Sequence, residues 1–123
     1  MNSRDPKLIA LLFNDCINNQ DIKGITNLMT KDHVFIDRHG DCFGDMINGW
    51  KEFFQNFPTY KNTFTQVESQ ENLVILIGYA RWSEDSLEED HAIWTATIEN
   101  DLVAEWHIYE DTEENREKLS IKK

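Results

Sequence analysis

The sequence of 123 residues has room for one domain, and its content of 40% hydrophobic and 11% aromatic residues can build a core, which excludes a disordered or low-complexity chain. The formal net charge of −11 argues against binding to nucleic acid, because phosphate backbones attract clustered lysine and arginine. No apolar run approaches the roughly 18 residues of a membrane helix, and the polar stretch Met1–Pro6 is unlike a signal peptide, so we expect one cytoplasmic domain over residues 1–123 without membrane contact.

The start of the chain has the periodicity of helices. Asp5 and Pro6 are residue types that begin a helix, and apolar residues then recur at helical spacing as far as Ile17. Asn18–Gln20 interrupts the pattern, and Asp21 is placed to cap a second, shorter helix. We therefore predict two helices here, each with one buried side.

A strand and a third helix follow. His33–Arg38 has the composition of a strand, and turn-forming residues come directly after it, at positions 39–41. The third helix is expected to start near Asp45 and to end at Phe57, because Pro58 cannot continue it.

The second half of the chain changes to strand character. Four runs are rich in β-branched and aromatic residues: Asn62–Glu68, Leu73–Trp82, His91–Ile98 and Leu102–Glu110. A short helix is expected after Asp111, ending at Leu119. Helices gathered at the start and strands at the end predict an α+β fold with a mostly antiparallel sheet.

The run Leu73–Ala80 is apolar on both faces of its predicted strand. One face can be buried under the helices, whereas the other needs a second cover, which another subunit would supply most economically. We therefore predict a homodimer through the outer face of the sheet.

This order of elements resembles the nuclear transport factor 2-like superfamily and, within it, the SnoaL-like and ketosteroid isomerase-like proteins. The stretches that carry the resemblance are Phe13–Asp37, Gly49–Tyr60 and Glu105–Asp111. The resemblance implies a cone, in which a curved, mostly antiparallel sheet wraps around N-terminal helices and encloses a pocket, and it commonly implies a dimer through the outer sheet face. It implies no single activity, because isomerases, cyclases, dehydratases, hydrolases and plain binding proteins share the fold.

The resemblance places Asp37 where ketosteroid isomerases hold their proton-transferring aspartate. Their oxyanion-hole tyrosine would fall at Phe13, which has no hydroxyl group, and their second oxyanion group near Trp94. SnoaL-type cyclases tend to carry His and Asp where this chain has Trp106 and Ile108. This chain would therefore lack the groups that stabilise charge or transfer protons in steroid isomerisation and in polyketide cyclisation.

Alternate residues of a strand share a face, so His33, Phe35, Asp37 and His39 are expected to point the same way, which the resemblance makes inward. A carboxylate in an apolar pocket suits general acid or base chemistry, so Asp37 is the predicted proton-transfer group, with His33 orienting a substrate or a water molecule. The alternative is that Asp37 caps the turn at residues 39–40 and that His33 is a half-buried histidine with satisfied hydrogen bonds.

The same side chains would also suit iron or zinc. Alternate residues of one strand lie about 6.6–7 Å apart, so His33 and His39 are too distant to share one ion unless the strand bends. We expect no metal and no other cofactor.

Aromatic side chains are expected to form the walls of the pocket. By strand parity and helix position, the predicted ligand-binding residues are Phe13, Phe35, Trp50, Phe54, Trp94, Trp106 and, near the rim, Glu110. For each aromatic residue the alternative is an ordinary place in the core.

The sequence therefore predicts a protein that binds a small, largely apolar organic molecule. If it is an enzyme, the expected chemistry is isomerisation, dehydration or hydrolysis without a cofactor, with Asp37 transferring the proton. The alternative is a non-catalytic, dimeric binding or accessory module whose pocket is filled by side chains. An open cavity that touches Asp37 would favour the first interpretation, and a plugged cone would favour the second.

Overall fold

A computed structural model describes residues 5–84 and 88–121, and these residues form four helices and six strands. The helices are α1 (Pro6–Asn18), α2 (Ile22–Leu28), α3 (Met46–Asn56) and α4 (Glu113–Lys118). The strands are β1 (Met29–Ile36), β2 (Cys42–Phe43), β3 (Lys61–Gln70), β4 (Leu73–Arg81), β5 (Asp90–Glu99) and β6 (Leu102–Glu110). The predicted order of elements is confirmed, and β2 is an addition that the sequence did not indicate.

The first two helices begin at the expected caps. The Asp5 carboxylate accepts a hydrogen bond from the Lys7 backbone N–H (3.0 Å), and Asp21 accepts one from Gly24 N–H (3.0 Å). Asp45 before α3 has a positive φ of 49° and makes no such cap. Local side-chain hydrogen bonds thus fix the start of α1 and α2 but not of α3.

The strands form one sheet in the order β2-β1-β6-β5-β4-β3. All neighbours are antiparallel except β1 and β6, which run parallel. The α+β fold with a mostly antiparallel sheet is therefore confirmed. The pairing of β1 with β6 shifts register between Met29 and Val34 and is regular from Val34 to Ile36.

The core lies between the helices and the inner face of the sheet. Its fully buried members include Ile9, Phe13 and Ile17 from α1, and Leu76, Trp94 and Trp106 from β4, β5 and β6. α1 therefore packs on the inner face of β3 to β6, and α3 packs against β1.

The outer face of the sheet is partly covered by the chain itself. Ile75, Ile77 and Ile93 pack with Ile121, and Leu119 lies against the same cluster. We expected a second subunit to cover these residues, and this was wrong, because the C-terminal segment of the same chain covers them. The homodimer itself stays a prediction.

Within the part of the chain that the structure describes, no helix combines the length and the apolar composition needed to span a bilayer.

Candidate functional site

A cavity of about 460 Å³ opens between α3 and the ends of β1 and β6. Its wall is mostly aromatic and aliphatic, and it includes Phe35, Phe43, Met46, Trp50, Phe53, Trp82, Trp106 and Ile108. Asp37, Arg38 and His39 line it where β1 ends, and Tyr60 and Asn62 line it at the start of β3. An apolar chamber with few polar groups is typical of small-molecule sites.

The structure places some of the predicted site residues in this cavity and others behind its wall. Phe35, Trp50 and Trp106 line it together with Asp37. Phe13 lies in a second layer, with its ring centroid 5.0 Å from that of Trp106.

Three further predicted residues lie away from the cavity wall. Phe54 packs behind Trp50 at 5.8 Å between ring centroids, Trp94 packs against Phe64 at 5.1 Å, and Glu110 is exposed to solvent. Strand parity gives the face on which a side chain lies, but it does not give its depth under the covering helices.

Asp37 both lines the cavity and organises the turn after β1. Its Oδ1 accepts hydrogen bonds from the backbone N–H of His39 (2.9 Å) and of Asp41 (3.0 Å), while its own backbone N–H donates to the Asp41 carbonyl (3.0 Å). Gly40 provides the positive φ of 85° that the turn requires. Both side-chain hydrogen bonds use Oδ1, so the carboxylate is held in one orientation by the backbone.

His33 does not enter the cavity that Asp37 lines. It is 5% exposed, and its Nδ1 donates to the Val103 carbonyl (2.7 Å). Burial lowers the pKa of His33, although the hydrogen bond to Val103 and the charge of Asp32 act in the opposite direction, and the imidazole is neutral at pH 7. His33 and Phe35 share the inner face as parity predicts, since His33 lies against Phe13 and Phe35 against Trp50. The separation follows from distance along the strand, because four residues of a strand span about 13 Å.

His33 lines a second cavity of about 320 Å³, together with Thr30 and Lys31. Met46 is a lining residue of both cavities. The two predicted catalytic residues therefore lie in different chambers.

An ion pair that the sequence analysis missed fixes one side of the first cavity. The Arg38 guanidinium donates to both carboxylate oxygens of Asp90 (3.2 and 2.8 Å), and Trp82 Nε1 donates to Oδ2 of the same carboxylate (3.0 Å). Burial alone would raise the pKa of Asp90, but these hydrogen bonds and the charge of Arg38 outweigh it and lower the pKa. Asp90 thus holds two cavity residues. It lies 52 positions after Arg38 in the sequence, so no local pattern indicates the pair.

The start of β3 contributes two further residues that sequence reasoning missed. Burial raises the pKa of Tyr60 well above its usual range, helped by the charge of Asp90, so the phenol is protonated at neutral pH. Asn62 is held by α1, because its Nδ2 donates to Asn14 Oδ1 (3.1 Å) and its backbone N–H donates to Asn18 Oδ1 (2.8 Å). The signal in the sequence was the pair of asparagines four residues apart on a helix that is otherwise apolar on that side.

No three His, Cys, Asp or Glu side chains come together as a metal site within residues 5–84 and 88–121. The groups available for chemistry in the first cavity include a carboxylate, a paired guanidinium, the imidazole of His39, a protonated phenol and an amide.

Comparisons of the sequence with protein-family models and with curated proteins both find no match. Solved structures do match. A protein of unknown function from Cytophaga hutchinsonii with the nuclear transport factor 2-like fold is 14% identical, with a TM-score of 0.72 over 98% of this chain and 99% of that chain. A protein from Shewanella putrefaciens assigned to the SnoaL-like polyketide cyclases is also 14% identical, with a TM-score of 0.74 over 98% of this chain and 89% of that chain.

A third similar structure is an epoxide hydrolase from M. tuberculosis of the LEH-like type, which is 9% identical. Its TM-score is 0.75, over 86% of this chain and 78% of that chain. Identities this low establish a shared fold. The chain has the nuclear transport factor 2-like fold.

Proposed function

We propose that this protein binds a small, largely apolar organic molecule in the first cavity, and that Asp37 transfers a proton to or from it. The observation that carries the proposal is the cavity itself, about 460 Å³ of mostly aromatic wall that includes one carboxylate held by the backbone. Similar structures assigned to polyketide cyclases and to an epoxide hydrolase support acid/base chemistry on a small molecule in this fold.

In this proposal Asp37 acts as a general base. The N–H groups of His39 and Asp41 hold Oδ1, so Oδ2 is the atom assigned to the substrate or to a water molecule. Positioning of this kind is what general base catalysis needs, because the base must be within hydrogen-bond reach of the proton that it removes. The chemistry is isomerisation, dehydration or hydrolysis without a cofactor.

We assign His33 a structural role. It joins β1 to β6 through Val103 and lies in the other cavity, so Asp37 is the only one of the two predicted catalytic residues to which we assign proton transfer.

Tryptophan indole signals in NMR spectra test the binding proposal. Trp50, Trp82 and Trp106 line the cavity and Trp94 does not, so the chain contains three reporters and an internal control. Titration with a panel of small aromatic and alicyclic compounds should shift the first three indole N–H signals at micromolar to millimolar concentration and leave that of Trp94 nearly unchanged. If no compound shifts them, or if all four move together, the cavity is not a ligand site.

A second candidate function is binding without catalysis. It is favoured by the two hydrogen bonds to Asp37 Oδ1, which are those of a turn cap. Asp37→Asn separates the candidates, because asparagine keeps an acceptor for the turn but cannot take up the proton. Loss of product formation by roughly a hundredfold or more, with ligand binding retained, supports catalysis. Equal product formation by both proteins would show that Asp37 does not transfer the proton, and no product from either protein across the panel supports a binding module.

We propose in addition that the chain forms a homodimer through the part of the outer sheet face that its C-terminus leaves uncovered. His107 and Tyr109 lie beside this part of the face, where they stack at 3.8 Å between ring centroids and are both half-buried, and Tyr109 also packs against the cluster that Ile121 covers. Sedimentation at micromolar concentration should give the mass of a dimer, and a monomer would defeat the proposal. We also propose that the protein acts in the cytoplasm without nucleic-acid or membrane partners. The net charge of −11 supports the absence of these partners, because nucleic acids and anionic membrane surfaces repel an acidic protein.

A further inference from the structure

The Asp90 carboxylate connects two residues of the first cavity, although the wall that the described residues form does not include Asp90 itself. Its two oxygens accept hydrogen bonds from the Arg38 guanidinium (3.2 and 2.8 Å), and Oδ2 also accepts one from Trp82 Nε1 (3.0 Å). Arg38 follows β1, Trp82 follows β4 and Asp90 begins β5. One side chain therefore connects the ends of three strands.

The place of the carboxylate is fixed from two directions. The Asp90 backbone pairs with Ala80 in the sheet, and the fork of the Arg38 guanidinium holds both carboxylate oxygens at once. A bidentate contact of this kind fixes the plane of a carboxylate as well as its distance. Oδ2 is therefore held at a set position toward Trp82.

The orientation of the Trp82 indole depends on its hydrogen bond to Asp90. The ring lies against Tyr60 at 4.8 Å and Phe57 at 5.0 Å between centroids, but Trp82 is 38% exposed, so the protein packs against it only in part. Ring contacts tolerate some rotation of an indole, whereas an N–H···O hydrogen bond weakens steeply as its angle falls. The bond to Asp90 thus sets the orientation in which the indole forms part of the cavity wall.

The ion pair itself lies where it adds little to the stability of the fold. The side chains of Arg38 and Asp90 are 27% and 32% exposed, and a pair that water reaches contributes little free energy, because water screens its charges and both side chains lose mobility. What the pair provides is order in the cavity wall. A wall that is ordered before the ligand arrives loses less conformational entropy when the ligand binds.

We propose that Asp90 is a positioning residue for the ligand of the first cavity: held by Arg38, it keeps Trp82 in the orientation that the ligand meets. This inference rests on the proposed function, since it concerns the same cavity. The affinity for the ligand then depends on a carboxylate that the ligand does not touch. Without that carboxylate the ligand has to order the indole as it binds, and its affinity falls.

The first test is the affinity of the apolar probe 2-naphthol for Asp90→Leu, measured by calorimetric titration. Leucine has nearly the shape of aspartate but no acceptor, so the Kd should rise about fivefold. Asp90→Asn keeps an oxygen for the Trp82 N–H and should recover part of the lost affinity. If Asp90→Leu does not fold, Asp90→Ser replaces it, because serine is polar but too short to reach Trp82.

Glu89→Leu is the matched control. Glu89 forms an ion pair with Arg81 (3.1 Å), and these two residues are the chain neighbours of Asp90 and Trp82. Among the described residues neither Glu89 nor Arg81 lines the first cavity, so loss of this pair should leave the Kd of 2-naphthol as in wild type. If Glu89→Leu weakens binding as much as Asp90→Leu does, the loss reflects a general loosening of these strand ends and the inference is wrong.

The NMR signal of the Trp82 indole N–H gives a readout without any ligand. A hydrogen bond to a carboxylate moves such a proton to higher frequency and slows its exchange with water. In Asp90→Leu the signal should therefore move to lower frequency and exchange faster, whereas in Glu89→Leu it should stay in place. An unchanged signal in Asp90→Leu would show that the carboxylate does not hold the indole.

A double-mutant cycle shows whether Asp90 acts through Trp82. Trp82→Phe cannot donate a hydrogen bond to the carboxylate, so in this background Asp90→Leu should weaken the binding of 2-naphthol far less than it does in wild type.

The outcomes separate this inference from the proposed function. If wild type binds 2-naphthol and Asp90→Leu binds it as tightly, or if Asp90→Leu weakens binding equally with and without Trp82→Phe, the cavity is a ligand site that Asp90 does not organise through Trp82, and the inference fails alone. If 2-naphthol does not bind to wild type, the inference and the proposed function fail together.

Discussion

At the scale of single residues, Asp37 shows how one side chain can serve a turn and a cavity at once. Its Oδ1 accepts two backbone hydrogen bonds, and asparagine can keep an acceptor at that place whereas alanine cannot. We expect Asp37→Ala to lower the free energy of unfolding by about 1 kcal/mol, and Asp37→Asn to change it by only a few tenths. Urea denaturation measures both values. Equal losses in the two variants would contradict the cap that we describe.

His33 gives the stability of the protein a predictable dependence on pH. Its pKa is lowered in the folded state by burial, so as the pH falls through the ordinary value of 6.5 the unfolded chain takes up a proton before the folded chain does. Stability is therefore complete above that pH and is lost below it, with a slope of up to about 1.4 kcal/mol per pH unit until the folded pKa is reached.

His33→Asn keeps a donor for Val103 and should flatten the pH dependence between pH 7.5 and 5.5. His39→Asn is the control, since His39 is exposed and should leave the slope as in wild type. Thermal unfolding at a series of pH values gives the slopes. A slope that His33→Asn does not reduce would show that other groups dominate the acid response.

At the scale of elements, the close pairing of β3 with β4 depends on Gly78, which has no side chain. A Cβ atom at Gly78 would collide with the backbone carbonyl of Thr63, beside the irregularity between Phe64 and Gln66. We expect Gly78→Ala to lower the free energy of unfolding by at least about 2 kcal/mol, because backbone atoms cannot move aside as a flexible side chain can. Gly44→Ala, where a Cβ meets nothing within 4 Å, should have little effect. Equal effects in the two variants would contradict the close approach.

The elements that the sequence predicts well are those with a local cause. The start of α1 follows from Asp5 and Pro6, and the long strands follow from their β-branched and aromatic runs. β2 could not be foreseen, because two residues carry no period, and its pairing with β1 exists only after the turn has formed. The place of His33 likewise depends on β6, because its hydrogen bond is to Val103, 70 positions away along the chain.

At the scale of the whole molecule, the sequence predicted which side chains lie on the inner face of the sheet. It did not predict which of them reach the cavity and which are buried under the helices. Phe35, Trp50 and Trp106 were expected in the cavity wall and line it, whereas Trp94 lies on the same inner face but under the helices. The ion pair of Arg38 with Asp90 joins segments that come together only in the finished sheet. The burial of a side chain under the helices and the ion pairs between distant segments depend on how the whole domain packs, and the periodicity of the sequence does not indicate either.

The central claim is that the first cavity is a ligand site, and filling it tests the claim most directly. Gly49 lines the cavity from α3, and the first atom that a side chain there would meet is the flexible Met46 thioether, which can move aside. Gly49→Leu should therefore occupy the chamber while the domain stays folded, and it should weaken binding of 2-naphthol by at least about tenfold. Lys51→Leu, an exposed position on the same helix, should bind as wild type does. Calorimetric titration of the three proteins would contradict the account if Gly49→Leu, shown to be folded, bound the compound as tightly as wild type.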